Sequence, residues 1–259
     1  MWLRKGIYMT NYAMIVSYDG TRYEGWQKQT RTKETIQGKI EDALLQVTGE
    51  VCQVNGVGRT DAGVHAKGQC ANFRLPFQVP ADKLMDELNR ALPDDIGIMS
   101  LKEAAENFHA RFSSSGKRYR YRIRIGSLKN VFERRYVWQL GKPLDVEAMR
   151  KAARILEGTH DFTSFTSNRH MKKSAVRTVE EIRLTEEEGE LRIDYTGDGF
   201  LQNMIRIMTG TLVEIGEGKR SADDLAAVLE GKVRAESGFT APAAGLTLLR
   251  VFYDQKKLP

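Results

Sequence analysis

Between residues 11 and 104 the apolar pattern changes period in a fixed order. NYAMIVSYD (11–19) alternates with period two, and TIQGKIEDALLQV (35–47) repeats at 3.6, with Ile36, Ile40, Ala43, Leu44 and Val47 on one stripe. VCQVNGV and QCANFRL alternate again, ADKLMDELNRAL (81–92) returns to the helical period through Leu84, Leu88 and Leu92, and IGIMSLKEA (96–104) closes as a strand. Side chains alternate across a strand and recur every three or four residues on a helix, so the order reads β-α-β-β-α-β. Few topologies accept that order; a split βαβ unit is one. Thr35 is placed to cap the first helix and Gly49 to end it, and Pro80 stands at the entrance of the second.

The order then begins again. A basic strand at 117–125 precedes the helical DVEAMRKAARIL (145–156). VRTVEEIRLT and ELRIDYTG read as a hairpin broken at the acidic Glu186–Glu190 turn, and FLQNMIRIMTGTLVEI (200–215) as a long helix. SADDLAAVLEG follows as a shorter helix, with Ser221 and Asp224 spaced as a capping box, and LTLLRVFYD (246–254) is a final strand. The expectation is an α+β chain of two tandem ferredoxin-like units: a tail over 1–10, a first half over 11–106 and a second over 107–259. Their antiparallel sheets are expected to join into one extended sheet, helices on one face and a central basic cleft on the other.

Composition narrows the classes. With 259 residues and 41% hydrophobic content the chain can bury a proper core. No stretch approaches the roughly 18 apolar residues of a membrane span, and MWLRKGIYMTNY lacks the apolar run of a signal peptide, so a cytoplasmic protein is expected. The two cysteines, Cys52 and Cys70, form no CxxC pair, and the four histidines are scattered without HExxH. A disulfide framework or a metal site of the usual ligands is not expected; two buried thiols are.

The net charge of +6 points to a polyanionic partner. RYRYRIR (118–124) places Arg118, Arg120, Arg122 and Arg124 on one strand face and Tyr119, Tyr121 and Ile123 on the other. Four arginines in a row repel one another unless something negative lies across them. That face is either solvated or apposed to a nucleic-acid backbone. Further basic clusters occur at Lys28/Arg31/Lys33 and Arg169/Lys172/Lys173/Arg177.

GVGRTDAGVHAK (56–67) joins the middle strands of the first unit. Three glycines in eight residues require a sharp turn, a positive φ or a close approach. Arg59 and Asp61 make this either a tight turn with a surface ion pair or the seat of chemistry. The loop fails the dinucleotide fingerprint, because Asp61 occupies the third glycine position, and it fails the P-loop, because Val64 and His65 replace Lys and Ser/Thr. A carboxylate there would repel phosphate. KGQCANF (67–73) begins like an RNA-recognition signature but carries Gln69 and Ala71 where stacking aromatics belong. What remains is a carboxylate on a constrained loop of a basic, RNA-binding surface, and catalysis gives such a group a reason.

At this point GRTDAGVHAKGQ resembles the signature of the tRNA pseudouridine synthase A family. YDGTRYEGWQKQ (18–29), TIQGKIEDAL (35–44), ALPDDIGI (91–98), FHARFSSSGKRYRY (108–121), HDFTSF (160–165), GFLQNMIRIMTG (199–210) and APAAGLTL (241–248) resemble family blocks in family order, from about residue 11 to 254. The resemblance implies isomerisation of uridine to pseudouridine at positions 38–40 of the tRNA anticodon stem-loop. It also implies two ferredoxin-like halves, a homodimer, and no metal or organic cofactor.

By the same resemblance Asp61 is the catalytic aspartate, acting as nucleophile at C1′ or on the 2′ proton, between which the sequence does not choose. Arg206 matches the basic residue that pairs with it; desolvation under a base would favour the neutral acid, and a nearby guanidinium opposes that. Tyr119 matches the active-site tyrosine, able to stack on uracil and a candidate for handling the C5 proton. Arg59 matches the arginine that helps extrude the target base, and Leu246 the apolar residue that packs near it. SNRHMKKSAVRT (167–178) is a variable region with no assigned site. A pseudouridine synthase acting on other RNA positions, a non-catalytic RNA-binding module and, more distantly, a metal-dependent nuclease are the competing readings.

Overall fold

The computed structural model describes residues 9–168 and 171–254. Residues 1–8 of the expected tail lie outside the described residues, as do Arg169 and His170. Ten strands and five α-helices among the described residues make the chain mixed α+β. It divides into two compact units: one runs up to Ser115 and takes in Leu248 onwards, the other is Gly116–Thr247. The last strand therefore contributes to the first unit from Leu248, whereas the sequence pattern assigns it wholly to the second half.

In the first unit the elements are β1 (Thr10–Tyr18), α1 (Ile36–Thr48), β2 (Asn55–Gly56), β3 (His65–Leu75), α2 (Ala81–Ala91) and β4 (Ile96–Glu103). β1 lies antiparallel between β3 and β4, with Tyr12 opposite Phe73 and Met14 opposite Leu101. Tyr12, Met14, Val16 and Tyr18 are buried on one face of β1, and Tyr12 stacks on Phe73. Ile36, Ile40 and Leu44 of α1 and Leu84 and Leu88 of α2 are fully buried, the stripes that the periodicity picks out. The Thr35 hydroxyl accepts from Gly38 N–H, and Gly49 ends α1 at φ +75°.

One expected strand of this unit shrinks. VCQVNGV keeps only Asn55–Gly56 in the sheet. The Glu41 carboxylate of α1 takes Val54 N–H at 3.1 Å, and Gln37 Nε2 donates to Val54 C=O at 3.1 Å. Helix side chains satisfy the backbone that a ladder would have used.

In the second unit β5 (Ser114–Arg124, entering at Gly116) is followed by β6 (Trp138–Gln139), α3 (Val146–Leu156), β7 (Gly158–Asp161), β8 (Val176–Glu187), β9 (Glu190–Gly197), α4 (Met204–Gly216) and α5 (Leu225–Gly231), and β10 (Leu246–Tyr253) starts here before passing to the first unit at Leu248. The strands lie in the order β5-β9-β8-β7, with β6 along β5. The β8–β9 hairpin turns through Glu188 and Gly189, both at positive φ, inside the acidic stretch expected to break it. α3 packs on α4, and its apolar stripe of Met149, Ala152, Ala153 and Leu156 is fully buried. α4 is buried nearly all round, from Met204 to Gly216. Such a helix is a core element rather than an amphipathic surface one.

Two helix starts differ from the sequence reading. α4 begins at Met204, not at 200, because Asn203 adopts the left-handed conformation at φ 59°, ψ 5° and stops the helix from extending backwards. The Ser221–Asp224 capping box does not form. Ser221 Oγ accepts from Asp223 N–H at 3.2 Å, which closes a local turn, and α5 starts at Leu225 with no side-chain cap. The short β6 and β7 have no periodic signal, since two and four residues are too few to show one.

Candidate functional site

Asp61 sits on a loop pinned at both ends. Val57 N–H donates to Cys70 C=O at 2.8 Å and Gln69 Nε2 to Gly58 C=O at 2.9 Å, fixing the entry. Trp26 N–H donates to Thr60 C=O at 3.1 Å, while the Thr60 hydroxyl shares a 2.9 Å hydrogen bond with Tyr18. The exit turns tightly: Val64 N–H reaches Asp61 C=O at 3.1 Å and Gly63 N–H reaches Tyr23 C=O at 3.2 Å, with Gly63 at φ +77°. Thr60 and Val64 are buried on either side of a half-buried Asp61. The loop glycines therefore serve geometry. Gly56 lets the backbone run against the Trp26 indole, where a Cβ would fall 2.5 Å from the ring. Arg59 is exposed, its Nε donating to Gln27 Oε1 at 3.2 Å.

The second unit carries the other three expected residues: Arg206 on α4, Tyr119 on β5 and Leu246 at the start of β10. Arg206 lies in the first turn of α4, where a cation opposes the helix dipole and gains nothing for helix stability. Its Nε donates to Ala241 C=O at 2.7 Å and its Nη1 to Asn203 Oδ1 at 2.9 Å, and Ala241 N–H returns to Arg206 C=O. Tyr121 donates from its hydroxyl to Pro242 C=O at 2.6 Å. Burial raises the Tyr121 phenol well above its ordinary range, against an opposing field from the Arg206 guanidinium. Four residues beyond Pro242, β10 begins at Leu246, which is buried. Segment 241–246 is thus tied at once to α4 and to β5.

Tyr119 is buried and lies on the Tyr121 face of β5, opposite the arginines, as alternation predicts. Its ring meets Phe200 edge-to-face at 5.5 Å. The arginine face itself has an answer that the sequence reading missed. Arg120 pairs with Asp194 and Arg122 with both Glu190 and Glu133, while Arg118 donates to Thr196 and Arg124 to the carbonyls of Leu128 and Glu188. The negative charge across the row comes from β9 and from Glu133 of the same chain. That holds for Arg120 and Arg122, whereas Arg118 and Arg124 donate to neutral oxygens.

Other expectations are simpler to place. Both thiols are free and buried, with Cys52 pushed up to about 11 by burial first and neighbouring carboxylates second. Among the described residues no group of three or more His, Cys, Asp or Glu could hold a metal, and no helix is long and apolar enough to cross a membrane. Residues that sequence reasoning passed over include Phe200, Gln27 and Asn203. Only Asn203 carried a signal, since asparagine is the side chain other than glycine most at home in the left-handed region.

The tRNA pseudouridine synthase family model matches residues 14–113 and 152–254. A protein of Acetivibrio thermocellus named tRNA pseudouridine synthase A is 44% identical over 95% of this chain and 100% of its own length. A protein of the same name from Geobacillus sp. (strain WCH70) is 45% identical over 92% of this chain and 96% of its own. Another from Thermoanaerobacter sp. (strain X514) is 42% identical over 95% of this chain and 100% of its own.

Proposed function

The chain belongs to the tRNA pseudouridine synthase family, and on that premise we propose that it isomerises uridine to pseudouridine at positions 38–40 of the tRNA anticodon stem-loop. The observation that carries the reading is the pinned loop. It holds one carboxylate, Asp61, half-buried between two buried anchors, in a chain of net charge +6. A phosphate-binding loop would not carry that group; a loop that acts on a sugar or base would.

The reaction breaks the N1–C1′ bond, rotates the uracil, forms C5–C1′ and moves the C5 proton out as N1 regains one. Asp61 is the catalytic carboxylate in this reading, at C1′ or at the 2′ proton, and Arg206 its cationic partner. The bonds from Arg206 to Ala241 and Asn203 support that role, because a fixed guanidinium orients a carboxylate without further entropic cost. Tyr119 faces the base, by stacking and as a handler of the C5 proton. Arg59 takes the space of the extruded base; exposed and lightly held, it can follow the RNA. Leu246 packs beside the uracil.

The β-α-β-β-α-β order of the first unit and the strand order β5-β9-β8 of the second support two ferredoxin-like halves. The enzyme in this reading is a cytoplasmic homodimer that works without cofactor.

Transcripts of tRNA carrying tritium at C5 of uridine, incubated in EDTA without nucleotide, test the proposal. Wild type should release label and Asp61→Ala should not. Release by both removes Asp61 from the chemistry. Release by neither, with tRNA still bound, favours an RNA-binding module or another RNA as substrate. Mapping the product to sites outside 38–40 would overturn the positional assignment alone.

A further inference from the structure

Asn203 occupies the N-cap position of α4, where asparagine ordinarily turns its side chain back onto the first-turn amides. Here it does not cap: at φ 59° the backbone is left-handed, and no side-chain capping bond forms. The carboxamide is used at both ends elsewhere. Oδ1 accepts from Arg206 Nη1 at 2.9 Å, and Nδ2 donates to Ser167 Oγ at 2.7 Å. Ser167 is itself held, since its N–H donates to Gln202 C=O, and neighbouring Thr166 donates its hydroxyl to the same carbonyl.

We infer that Asn203 is a positioning residue for Arg206 and that Ser167 is its anchor. The inference rests on the proposed catalytic role of Arg206. A left-handed residue other than glycine costs some stability, less for asparagine than for most, and persists where its surroundings hold it there. The forgone cap adds to that cost. What the arrangement provides is a guanidinium fixed from two sides: Nε by Ala241 C=O and Nη1 by Asn203 Oδ1. With both bonds made, the charged group has one orientation relative to the helix. Arg206 can only donate and so demands the carboxamide oxygen, which leaves the NH2 end to donate to the Ser167 hydroxyl and anchor the group from its far side. The segment following HDFTSF, which has no assigned site by sequence, thereby acquires one: it braces the turn before α4.

Asn203→Gly tests this, since glycine keeps the left-handed backbone and removes only the carboxamide. Single-turnover and steady-state tritium release would be measured for wild type, Asn203→Gly, Arg206→Lys and the double variant, with thermal midpoints for each. The expected result is a roughly 10-fold fall in kcat for Asn203→Gly, with KM within about 2-fold and the midpoint unchanged. In the Arg206→Lys background, itself impaired, the same substitution should cost almost nothing more. Ser167→Ala should reproduce part of the fall. Wild-type kcat for Asn203→Gly beside an impaired Arg206→Lys overturns the positioning role and leaves the role of Arg206 standing. An equal fall in both backgrounds overturns it too, because Asn203 would then act through another group. Full activity of Arg206→Lys overturns the parent reading and this inference together.

Discussion

Arg120 and Asp194 face each other across the β5–β9 ladder and are joined by two parallel hydrogen bonds, Nε to Oδ1 at 2.7 Å and Nη2 to Oδ2 at 2.8 Å. This bidentate pair sits in the middle of the arginine row and, with the Arg122 bonds to Glu190 and Glu133, relieves the repulsion between the two central arginines. Asp194→Ala should lower stability by about 1–2 kcal/mol, measured by urea unfolding, because it leaves Arg120 beside Arg122 without its neutralising partner.

The same pairing bears on RNA. A phosphate-contacting arginine contributes about one unit to the slope of log affinity against log salt. Arg120→Gln should leave that slope for tRNA within experimental error of wild type, since its charge is already met within the chain. A slope reduced by about one would show instead that Arg120 exchanges Asp194 for phosphate.

Glu190 makes the chain sensitive to acid. Burial alone would raise its carboxyl, but hydrogen bonds and charges from Arg122 and Arg192 outweigh it and hold the group below its ordinary 4.5. Glu133, beside Arg122, is also lowered. A carboxylate depressed in the folded state contributes stability above its unfolded pKa and loses it as pH falls through the folded one. Unfolding midpoints should therefore be flat on this account above about pH 4.5 and decline below it. Glu190→Gln should be less stable at neutral pH and show a shallower decline on acidification.

Gly56 should tolerate no side chain. A Cβ there would lie 2.5 Å from the buried Trp26 indole, which has nowhere to move. Gly56→Ala should cost roughly 1–3 kcal/mol by overpacking and should depress activity beyond its loss of stability, because Gly56 leads into the Asp61 loop. Thermal midpoints and tritium release on the same preparations separate the two effects.

Arg59 offers the reverse case. It is exposed and held by one neutral partner, so Arg59→Ala should change stability by less than about 0.5 kcal/mol. On the proposed role it should still cut turnover, with base extrusion read by a fluorescent analogue at the target uridine.

Much of this fold was open to a reader of the sequence because its elements announce themselves locally. The stripe of α1, the Thr35 cap, the Gly49 stop and the alternation that sets Tyr119 against the arginines depend only on helix and strand period and on cap chemistry. Composition in the same way indicated a sizeable buried core and two buried thiols. The family blocks, read in order, located Asp61, Arg59, Tyr119, Arg206 and Leu246 as residues to examine.

Other features needed neighbours distant in sequence. Val54 leaves the sheet because Glu41 and Gln37, more than ten residues back, take its N–H and C=O. Arg120 is neutralised by a residue 74 positions away, and no window around RYRYRIR contains it. Asn203 looks like an ordinary cap until Ser167 and Arg206 draw its carboxamide in two directions. Sequence by itself determined periodicity, caps and the identity of the chemical groups, because those are set by each residue and its near neighbours. Tertiary structure alone decided which charges cancel and which donors meet which acceptors, because a hydrogen bond acts over about 3 Å of space and is indifferent to the length of chain between its partners.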